Sequence, residues 1–271
     1  MKRVSPTKGC QCKPPSWWSI NFSQILKLEA ENLRCSQYDL KVTVLRLRIP
    51  PAGTSMISQP VATLTLSDLR ETFHLTRDRG DPFFEQWLQE PDPLSEFEQQ
   101  ALKRLKRNYE NIIETNPLEE VVKLVVVAPL LDLAGFYQPP FSIRTEVSTR
   151  LVVTEADQVF TGSIDVLVVK QQFWVLVIES KQSRFDVMSG VPQALSYMLS
   201  QPTELPKESI QSTDMANRFG MVTNGREVLF LKLKPCQPPT YVQSRSYQVI
   251  EAQDDLVQIL QGLKVIGQQL Q

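Results

Sequence analysis

Three charged residues, Asp165, Glu179 and Lys181, lie within a strongly apolar part of the sequence. Apolar residues follow Asp165, and Glu179 and Lys181 come at the end of the next apolar run. An ionised carboxylate in apolar surroundings is costly to desolvate unless a cation pairs with it. The three residues therefore indicate either a site that binds a cation or an ion pair on an ordinary surface hairpin.

A polar turn at 171–172 separates the two apolar runs and predicts a β-hairpin. A turn at this position brings Asp165 opposite Glu179 to within one residue, where facing Cβ atoms lie about 4.5–5.5 Å apart. Glu179 and Lys181 are two positions apart, so they share one face of a regular strand. We therefore expect the three side chains to converge on one spot.

Two carboxylates this close repel each other, and a hard divalent cation would relieve the repulsion. Oxygen ligands with open coordination positions suit Mg²⁺, for which Mn²⁺ is a candidate substitute. An ammonium beside such a pair can orient an attacking water and stabilise charge that builds up on a phosphate. Asp165, Glu179 and Lys181 thus predict metal-assisted phosphodiester hydrolysis, with the surface ion pair as the alternative.

A helix predicted over about 187–199 follows the hairpin. Gln193 and Tyr197 are four residues apart on this helix, so their side chains lie on one face. Taken alone, the pair indicates a surface glutamine and a core tyrosine. A crossover helix at this point of the chain would pack beside the hairpin, so we expect both side chains near Lys181.

Taken together, these segments resemble the PD-(D/E)XK nuclease superfamily, in the branch with a Gln-x-x-x-Tyr helix. The resembling motifs are Ile164-Asp165-Val-Leu, Val177-Ile-Glu179-Ser-Lys181 and Val191-Pro-Gln193-Ala-Leu-Ser-Tyr197. Segments 219–225 and 229–233 are similar to the distal hairpin of the same group. The similarity is to nuclease domains of type I restriction enzyme R subunits and to short cyanobacterial proteins called restriction endonuclease subunit R. It covers about residues 61–271.

The resemblance implies six catalytic positions: Asp165, Glu179, Lys181, Gln193, Tyr197 and Glu119. Asp165 and Glu179 would be metal ligands, with Glu119 as an auxiliary acid near the same metal. Lys181 would be the catalytic lysine, and the glutamine and tyrosine would support the site or the phosphate from their helix. Glu120 is next to Glu119, and the sequence leaves open which of the two is the auxiliary acid.

The activity that the resemblance implies is that of a stand-alone, restriction-type endonuclease that hydrolyses DNA phosphodiester bonds with Mg²⁺. Two alternatives stay open. The chain could be a catalytically silent DNA-binding or assembly module of the same fold, or a nuclease subunit that is active only with a partner. The expected partners are duplex DNA, a helicase or modification partner in trans, and a second copy in a homodimer.

Composition and charge exclude several other classes of protein. The single histidine, His74, cannot supply a histidine-rich metal nuclease site, a zincin helix or a Ser-His-Asp triad. None of the ten glycines opens a Walker A loop. The formal net charge is −1, so any DNA contact must rest on a local basic patch. Residues 103–107 are a candidate patch, or simply a solvated helix face.

The sequence shows no membrane span, no signal peptide and no disulfide framework, so we expect a cytoplasmic protein without membrane contact. We predict three regions: an N-terminal extension over 1–55, a helical region over 56–116 and a nuclease-like domain over 117–271. The extension is disordered or loosely packed, or the native start lies at Met56.

The expected fold class is α/β (α+β), with a mixed sheet flanked by helices in the order helix, three strands, helix, two strands, helix. Three local signals refine this order. Ser95 and Glu98 form a capping box at a helix start. Asn116 is the expected cap of the next helix, with Pro117 as its first residue. Asn224-Gly225 favours a type I′ hairpin turn.

Overall fold

A mixed β-sheet forms the centre of the computed structural model, which describes residues 57–87, 89, 92–153, 158–170, 173–202, 217–234 and 236–269. Within these ranges the sheet has nine strands: β1 (Ile57–Pro60), β2 (Thr76–Arg77), β3 (Phe141–Val153), β4 (Gln158–Lys170), β5 (Phe173–Ser180), β6 (Gln201–Pro202), β7 (Arg218–Thr223), β8 (Glu227–Lys234) and β9 (Thr240–Gln248). Their order is β2-β9-β8-β7-β5-β4-β3-β6, and β1 pairs with β4 off that path. The predicted extension over 1–55 lies outside the described residues, and the division at residue 116 stays a prediction.

Seven α-helices lie in the described ranges: α1 (Leu66–Phe73), α2 (Phe83–Gln86), α3 (Glu96–Glu110), α4 (Glu119–Val122), α5 (Ala128–Leu133), α6 (Val191–Leu199) and α7 (Gln253–Gln268). A π-helical segment (Lys123–Val127) joins α4 to α5. Helices α3, α4, α5 and α7 share one apolar core with one face of the sheet. Helices α1 and α6 share a second core with the opposite face. The predicted mixed sheet flanked by helices is confirmed.

The central strands follow the apolar runs of the sequence. Strands β3 and β4 form a long antiparallel hairpin, and β5 returns antiparallel to β4. Helix α6 then crosses over to β7, which runs parallel to β5. Alternate residues of β5 enter different cores, with Ile178 on the side of α7 and Val177 on the side of α6. The period-two pattern thus decides which side chains of β5 face each helical layer.

The predicted start of the long apolar helix is wrong by two residues. Asn116 adopts a left-handed conformation (φ 49°) at the end of a 3₁₀ turn (Ile113–Thr115), and Leu118 is the N-cap residue of α4. Asparagine tolerates the left-handed region, so Asn116 reverses the chain between two helical segments rather than capping the second. The capping box of Ser95 and Glu98 is confirmed at the start of α3.

The turn between β7 and β8 differs from the predicted type I′ turn. Gly225 has a positive φ of 83°, whereas Asn224 is not among the residues with positive φ. The backbone N–H of Asn224 donates to the carbonyl of Glu227 at 3.3 Å, so the two central residues are Gly225 and Arg226, and a positive φ at the first of them alone is the pattern of a type II′ turn. The side chain of Asn224 instead holds the loop, because its Oδ1 accepts hydrogen bonds from the backbone N–H of Arg226 (3.0 Å) and of Glu227 (2.8 Å).

Four strands, β6 to β9, follow α6 in the described residues, whereas only two strands were predicted there, and β9 is the longer of the two that were not predicted. Its middle is polar at 243–246, which conceals the strand pattern in the sequence. Ser244 is nevertheless buried, and its hydroxyl accepts a hydrogen bond from the backbone N–H of Phe230 at 2.9 Å. A side chain thus takes the place of a backbone acceptor where the register of β8 and β9 shifts.

Helix α1 ends at Phe73. His74 is its C-cap residue, with a left-handed φ of 54°, and the His74 side chain is exposed. Among the described helices, none has both the length and the apolar character that crossing a membrane requires.

Candidate active site

The candidate site lies where the strand paired with one edge of β4 changes from β1 to β5. Strand β1 pairs with β4 as far as Thr161, and β5 pairs with the same edge from Val166 onward. Asp165 lies in the gap between these two ladders. Its Oδ2 atom accepts a hydrogen bond from the backbone N–H of Ser180 at 2.7 Å. The Asp165 carboxylate thus bridges β4 and β5 just where their backbone ladder stops.

Glu179 follows Ile178, which is paired with Val166 in the last step of that ladder. This register, which puts Asp165 and Glu179 one step beyond the same pair, is the one predicted from the turn. On its other side Glu179 pairs with Val222 of β7, so its backbone is fixed within the sheet. The residue is 1% exposed.

The Lys181 ammonium links the end of β5 to helix α6. Its Nζ donates hydrogen bonds to Oε1 of Glu179 (2.6 Å) and to Oε1 of Gln193 (3.0 Å). Gln193 in turn donates from Nε2 to the hydroxyl of Tyr197 at 2.9 Å. Four of the six predicted residues therefore form one continuous chain of hydrogen bonds, from a buried carboxylate to a buried phenol.

Two glycines allow α6 to approach the strands this closely. A Cβ atom at Gly190 would lie 2.6 Å from Cγ1 of Val222 and 3.4 Å from Cγ of Glu179. A Cβ atom at Gly162 would lie 2.8 Å from the hydroxyl oxygen of Tyr197. Real Cβ atoms do not approach other heavy atoms so closely, so both positions require the absence of a side chain.

Glu119, rather than Glu120, faces the site. Glu119 is half-buried, whereas Glu120 is exposed. Burial raises the pKa of Glu119, with Lys181 opposing the rise and Asp165 adding to it. Consecutive helical residues project about 100° apart, so only one of the two glutamates can point towards Asp165 and Lys181, and this residue is Glu119.

The buried carboxylates hold protons unusually firmly in the absence of a metal. Burial and the nearby Asp165 charge raise the pKa of Glu179 to about 8, despite the opposing effect of Lys181. Burial also raises the pKa of Asp165, against the effects of the Ser180 N–H and of Lys123. Within the described part of the chain, no donor reaches the buried Oε2 atom of Glu179. The two carboxyl groups therefore resist being ionised together unless a cation lies beside them.

A divalent cation fits this arrangement. Oε2 of Glu179 is a buried oxygen with no hydrogen-bond partner among the described residues, and Asp165 supplies a second carboxylate beside it. Mg²⁺ is commonly bound by one or two carboxylates, with water and phosphate oxygens completing its shell. The described residues contain no group of three or more His, Cys, Asp or Glu side chains placed to hold a metal ion. Glu119 is thus not brought into a three-residue ligand cluster with Asp165 and Glu179.

Sequence reasoning missed two charged residues that adjoin Asp165. Lys123 Nζ lies 3.6 Å from Oδ1 of Asp165 and 3.2 Å from Oε1 of Glu146. Burial lowers the pKa of Lys123, but Asp165 and Glu146 raise it above its ordinary value. One signal was present: Lys123 is four residues after Glu119, and so on the same side of a helix, within an otherwise apolar run.

Comparisons with known proteins include a weak structural likeness. No family model matches the chain, and no curated protein matches it. A solved fragment described as an HsdR subunit of a type I restriction enzyme from Vibrio vulnificus YJ016 is 20% identical in sequence, with a TM-score of 0.30. The match covers 54% of this chain and 25% of that chain. The chain thus spans about a quarter of the length of that neighbour, and a likeness at this level carries no argument about function.

Proposed function

We propose that this protein is a Mg²⁺-dependent endonuclease of the PD-(D/E)XK type that hydrolyses phosphodiester bonds of duplex DNA in the cytoplasm. One observation carries the proposal. The Lys181 ammonium is held between Glu179 and Gln193, directly beside a buried carboxylate oxygen without a partner and the carboxylate of Asp165. A cation, two acids and an open ligand position are the groups that metal-assisted phosphate hydrolysis requires.

Asp165 and Glu179 would hold the metal ion, with Glu119 close enough to add its charge or to bind one of the ion's waters. Bound Mg²⁺ would polarise a phosphate oxygen and lower the pKa of a coordinated water. The raised pKa of both strand carboxylates supports this assignment, because a bound cation would offset the burial that disfavours their ionised forms. Their burial also keeps the surroundings of the ion poor in bulk water, which strengthens each charge interaction there.

Lys181 would act on the attacking water and on the phosphate. An ammonium has three N–H donors, of which Glu179 and Gln193 take two. The third remains to orient the water or to stabilise the charge that grows on the phosphate oxygens. Burial raises the pKa of Tyr197, so the phenol stays protonated and can hold Gln193 in place.

The charges support a nucleic acid as the substrate class, and we propose DNA. Near-neutral proteins bind DNA through local basic surfaces, and three basic residues of α3 are exposed: Lys103, Arg104 and Arg107. These side chains would contact backbone phosphates without reading bases. A helicase or modification partner in trans, or a second copy of this chain, would add specificity that such contacts do not provide.

A plasmid-nicking assay tests the proposal. Supercoiled plasmid is incubated with the full chain in Mg²⁺, in Mn²⁺ or in EDTA, beside Asp165→Asn and Lys181→Ala. Lys264→Gln is the matched control, because Lys264 is also a partly buried, ion-paired lysine, but its partner is Glu98. We expect cleavage by the wild type and the control with either metal, and none in EDTA or by the two site variants.

Three results would contradict the proposal that this chain is by itself a metal-dependent nuclease. Cleavage that persists in EDTA or in Asp165→Asn would exclude the proposed metal site. DNA retardation in a gel without cleavage in either metal would instead favour the silent DNA-binding module. Cleavage that appears only after a cell extract is added would favour a nuclease subunit that needs a partner.

A further inference from the structure

Two irregularities of the backbone meet at one ion pair beside the candidate metal site. Glu146 has a positive φ of 52° within β3, although it is not a glycine. It stands opposite Asp165, because Thr145 pairs with Val166 and the next residues of the two strands are skipped by the ladder. Non-glycine residues in this conformation persist only where the surrounding structure imposes it, and they cluster at functional sites.

The second irregularity is the π-helical segment that begins at Lys123. Single π-helical turns inside α-helices are rare and are frequent at functional sites. The Lys123 ammonium lies between the carboxylates of Asp165 and Glu146, at 3.6 and 3.2 Å. Glu146 is further held by the Ser163 hydroxyl, which donates to its Oε2 atom at 3.3 Å. Two unusual backbone segments thus position one cation between two acids.

The two acids differ in their access to solvent. The side chain of Asp165 is 13% exposed and that of Lys123 is 19% exposed, whereas that of Glu146 is 63% exposed. Lys123 therefore lies between the buried carboxylate of Asp165 and the surface carboxylate of Glu146. The metal would also need the first of these. A divalent cation and the Lys123 ammonium would compete for Oδ1 of Asp165, because like charges repel strongly in poorly solvated surroundings.

We infer that Lys123 is a displaceable counter-ion of the site, which neutralises Asp165 before a metal binds and rests on Glu146 afterwards. Glu146 is the positioning residue that holds the released ammonium at the surface, beside the site. The inference rests on the proposed metal site, since it concerns how the ion gains Asp165. It differs from that proposal in its main consequence: removing a positive side chain from the site should make it bind metal more tightly.

Metal affinity of the full chain tests this inference without reference to cleavage. MgCl₂ and MnCl₂ are titrated calorimetrically into the wild type, Lys123→Gln and Lys123→Met, with Lys264→Gln as the control. Both Lys123 variants should bind either ion about threefold to tenfold more tightly, because a repelling charge next to Asp165 is gone. The control should keep the wild-type affinity. Equal or weaker binding by the Lys123 variants overturns the inference.

A second arm tests the role of Glu146, an exposed residue whose substitution leaves the core intact. Glu146→Gln removes a negative charge and should weaken metal binding in any background. If the Lys123 ammonium also moves to Glu146, Glu146→Gln should lower the metal affinity more when Lys123 is present than when it is already replaced by glutamine. Equal losses in the two backgrounds would show that Glu146 does not receive the ammonium.

The two proposals fail in different ways. Tighter binding by Lys123→Gln, in a protein that cleaves no DNA, supports the displaceable counter-ion and contradicts the nuclease. Cleavage by the wild type, with unchanged affinity in Lys123→Gln, supports the nuclease and overturns the counter-ion. A wild type that binds no metal beside a Lys123→Gln variant that does would show that Lys123 blocks the site and is not displaced, which overturns the inference. Absence of binding in every protein overturns both.

Discussion

The hydroxyl of Tyr197 occupies the space that a side chain at Gly162 would fill, because a Cβ atom there would lie 2.8 Å from this oxygen. The same hydroxyl accepts a hydrogen bond from Nε2 of Gln193 at 2.9 Å. Helix α6 and strand β4 are therefore in contact through a polar atom rather than through apolar packing alone. The contact between Gly162 and Tyr197 therefore sets how closely α6 packs on β4, and so where Gln193 lies relative to Lys181.

The first prediction follows from this contact. Gly162→Ala should lower the free energy of unfolding by about 1–3 kcal/mol, because an added methyl in a closely packed region forces its neighbours to move. The measurement is urea unfolding of the metal-free protein. Gly267→Ala is the control, since its Cβ atom would meet Phe136 at 3.5 Å, an ordinary contact. Equal stability of both variants would mean that Tyr197 moves aside freely.

The second prediction concerns Asp165→Asn. This variant should bind Mg²⁺ at least about tenfold more weakly, since even residues that only orient metal ligands often contribute that much. It should fold as well as the wild type without metal, or slightly better, because one of two repelling carboxylates becomes neutral. Calorimetric titration gives the affinity and thermal unfolding the stability. Unchanged metal affinity would reduce Asp165 to a member of an ordinary ion pair.

The third prediction separates Lys181 from the metal ligands. Lys181→Ala should still bind Mg²⁺, since it loses no oxygen ligand, yet its cleavage rate should fall by about 10²–10³-fold. Cleavage of plasmid at saturating Mg²⁺, beside a calorimetric titration, measures both quantities. Full activity in this variant would exclude Lys181 from the reaction and leave only its structural contacts with Glu179 and Gln193.

The fourth prediction is a pH dependence of stability in the absence of metal. The pKa of Glu179 is about 8 in the folded protein, above its ordinary value of 4.5. Between these two values the folded protein keeps a proton that the unfolded chain has lost, so the stability contributed by this proton should be lost as the pH rises from about 4.5 to 8. Above both values the contribution no longer changes.

Glu179→Gln should remove most of this slope, because glutamine does not titrate. The variant should therefore exceed the wild type in metal-free stability at pH 8 by about 1–3 kcal/mol, and by less at pH 5. Denaturant unfolding at several pH values measures the difference. A wild-type stability that rises between pH 5 and 8 by the same amount as that of the variant would contradict the assigned pKa.

The site residues within the hairpin and helix α6 could be predicted because their placement depends on local rules. A short polar turn and a period of two bring Asp165 and Glu179 to neighbouring positions, and the observed register agrees. A spacing of four puts Gln193 and Tyr197 on one helical face, and the two side chains are hydrogen-bonded. The contribution of each residue to catalysis stays a prediction, since geometry alone does not measure turnover.

Other features depend on packing that no local pattern encodes. The left-handed backbone of Glu146 and the π-helical turn at Lys123 are imposed by tertiary contacts, so their ion pair was not foreseen. The signal of Asn116 and Pro117 was real but ambiguous, since asparagine serves both as a cap and as a left-handed reversal. Strand β9 was missed because its middle is polar, although Ser244 is buried there and its hydroxyl accepts a backbone hydrogen bond from β8.

The division of one edge of β4 between β1 and β5 has a consequence for handling the protein. Strand β1 covers the edge of β4 from Gln158 to Thr161, through only four residues near the start of the described chain. Proteolysis just after Pro60 would release this cover and leave N–H and C=O groups of a long, apolar strand without partners. Such an edge pairs readily with strands of other molecules, so clipped preparations should self-associate into oligomers, even though the candidate site itself would be uncut.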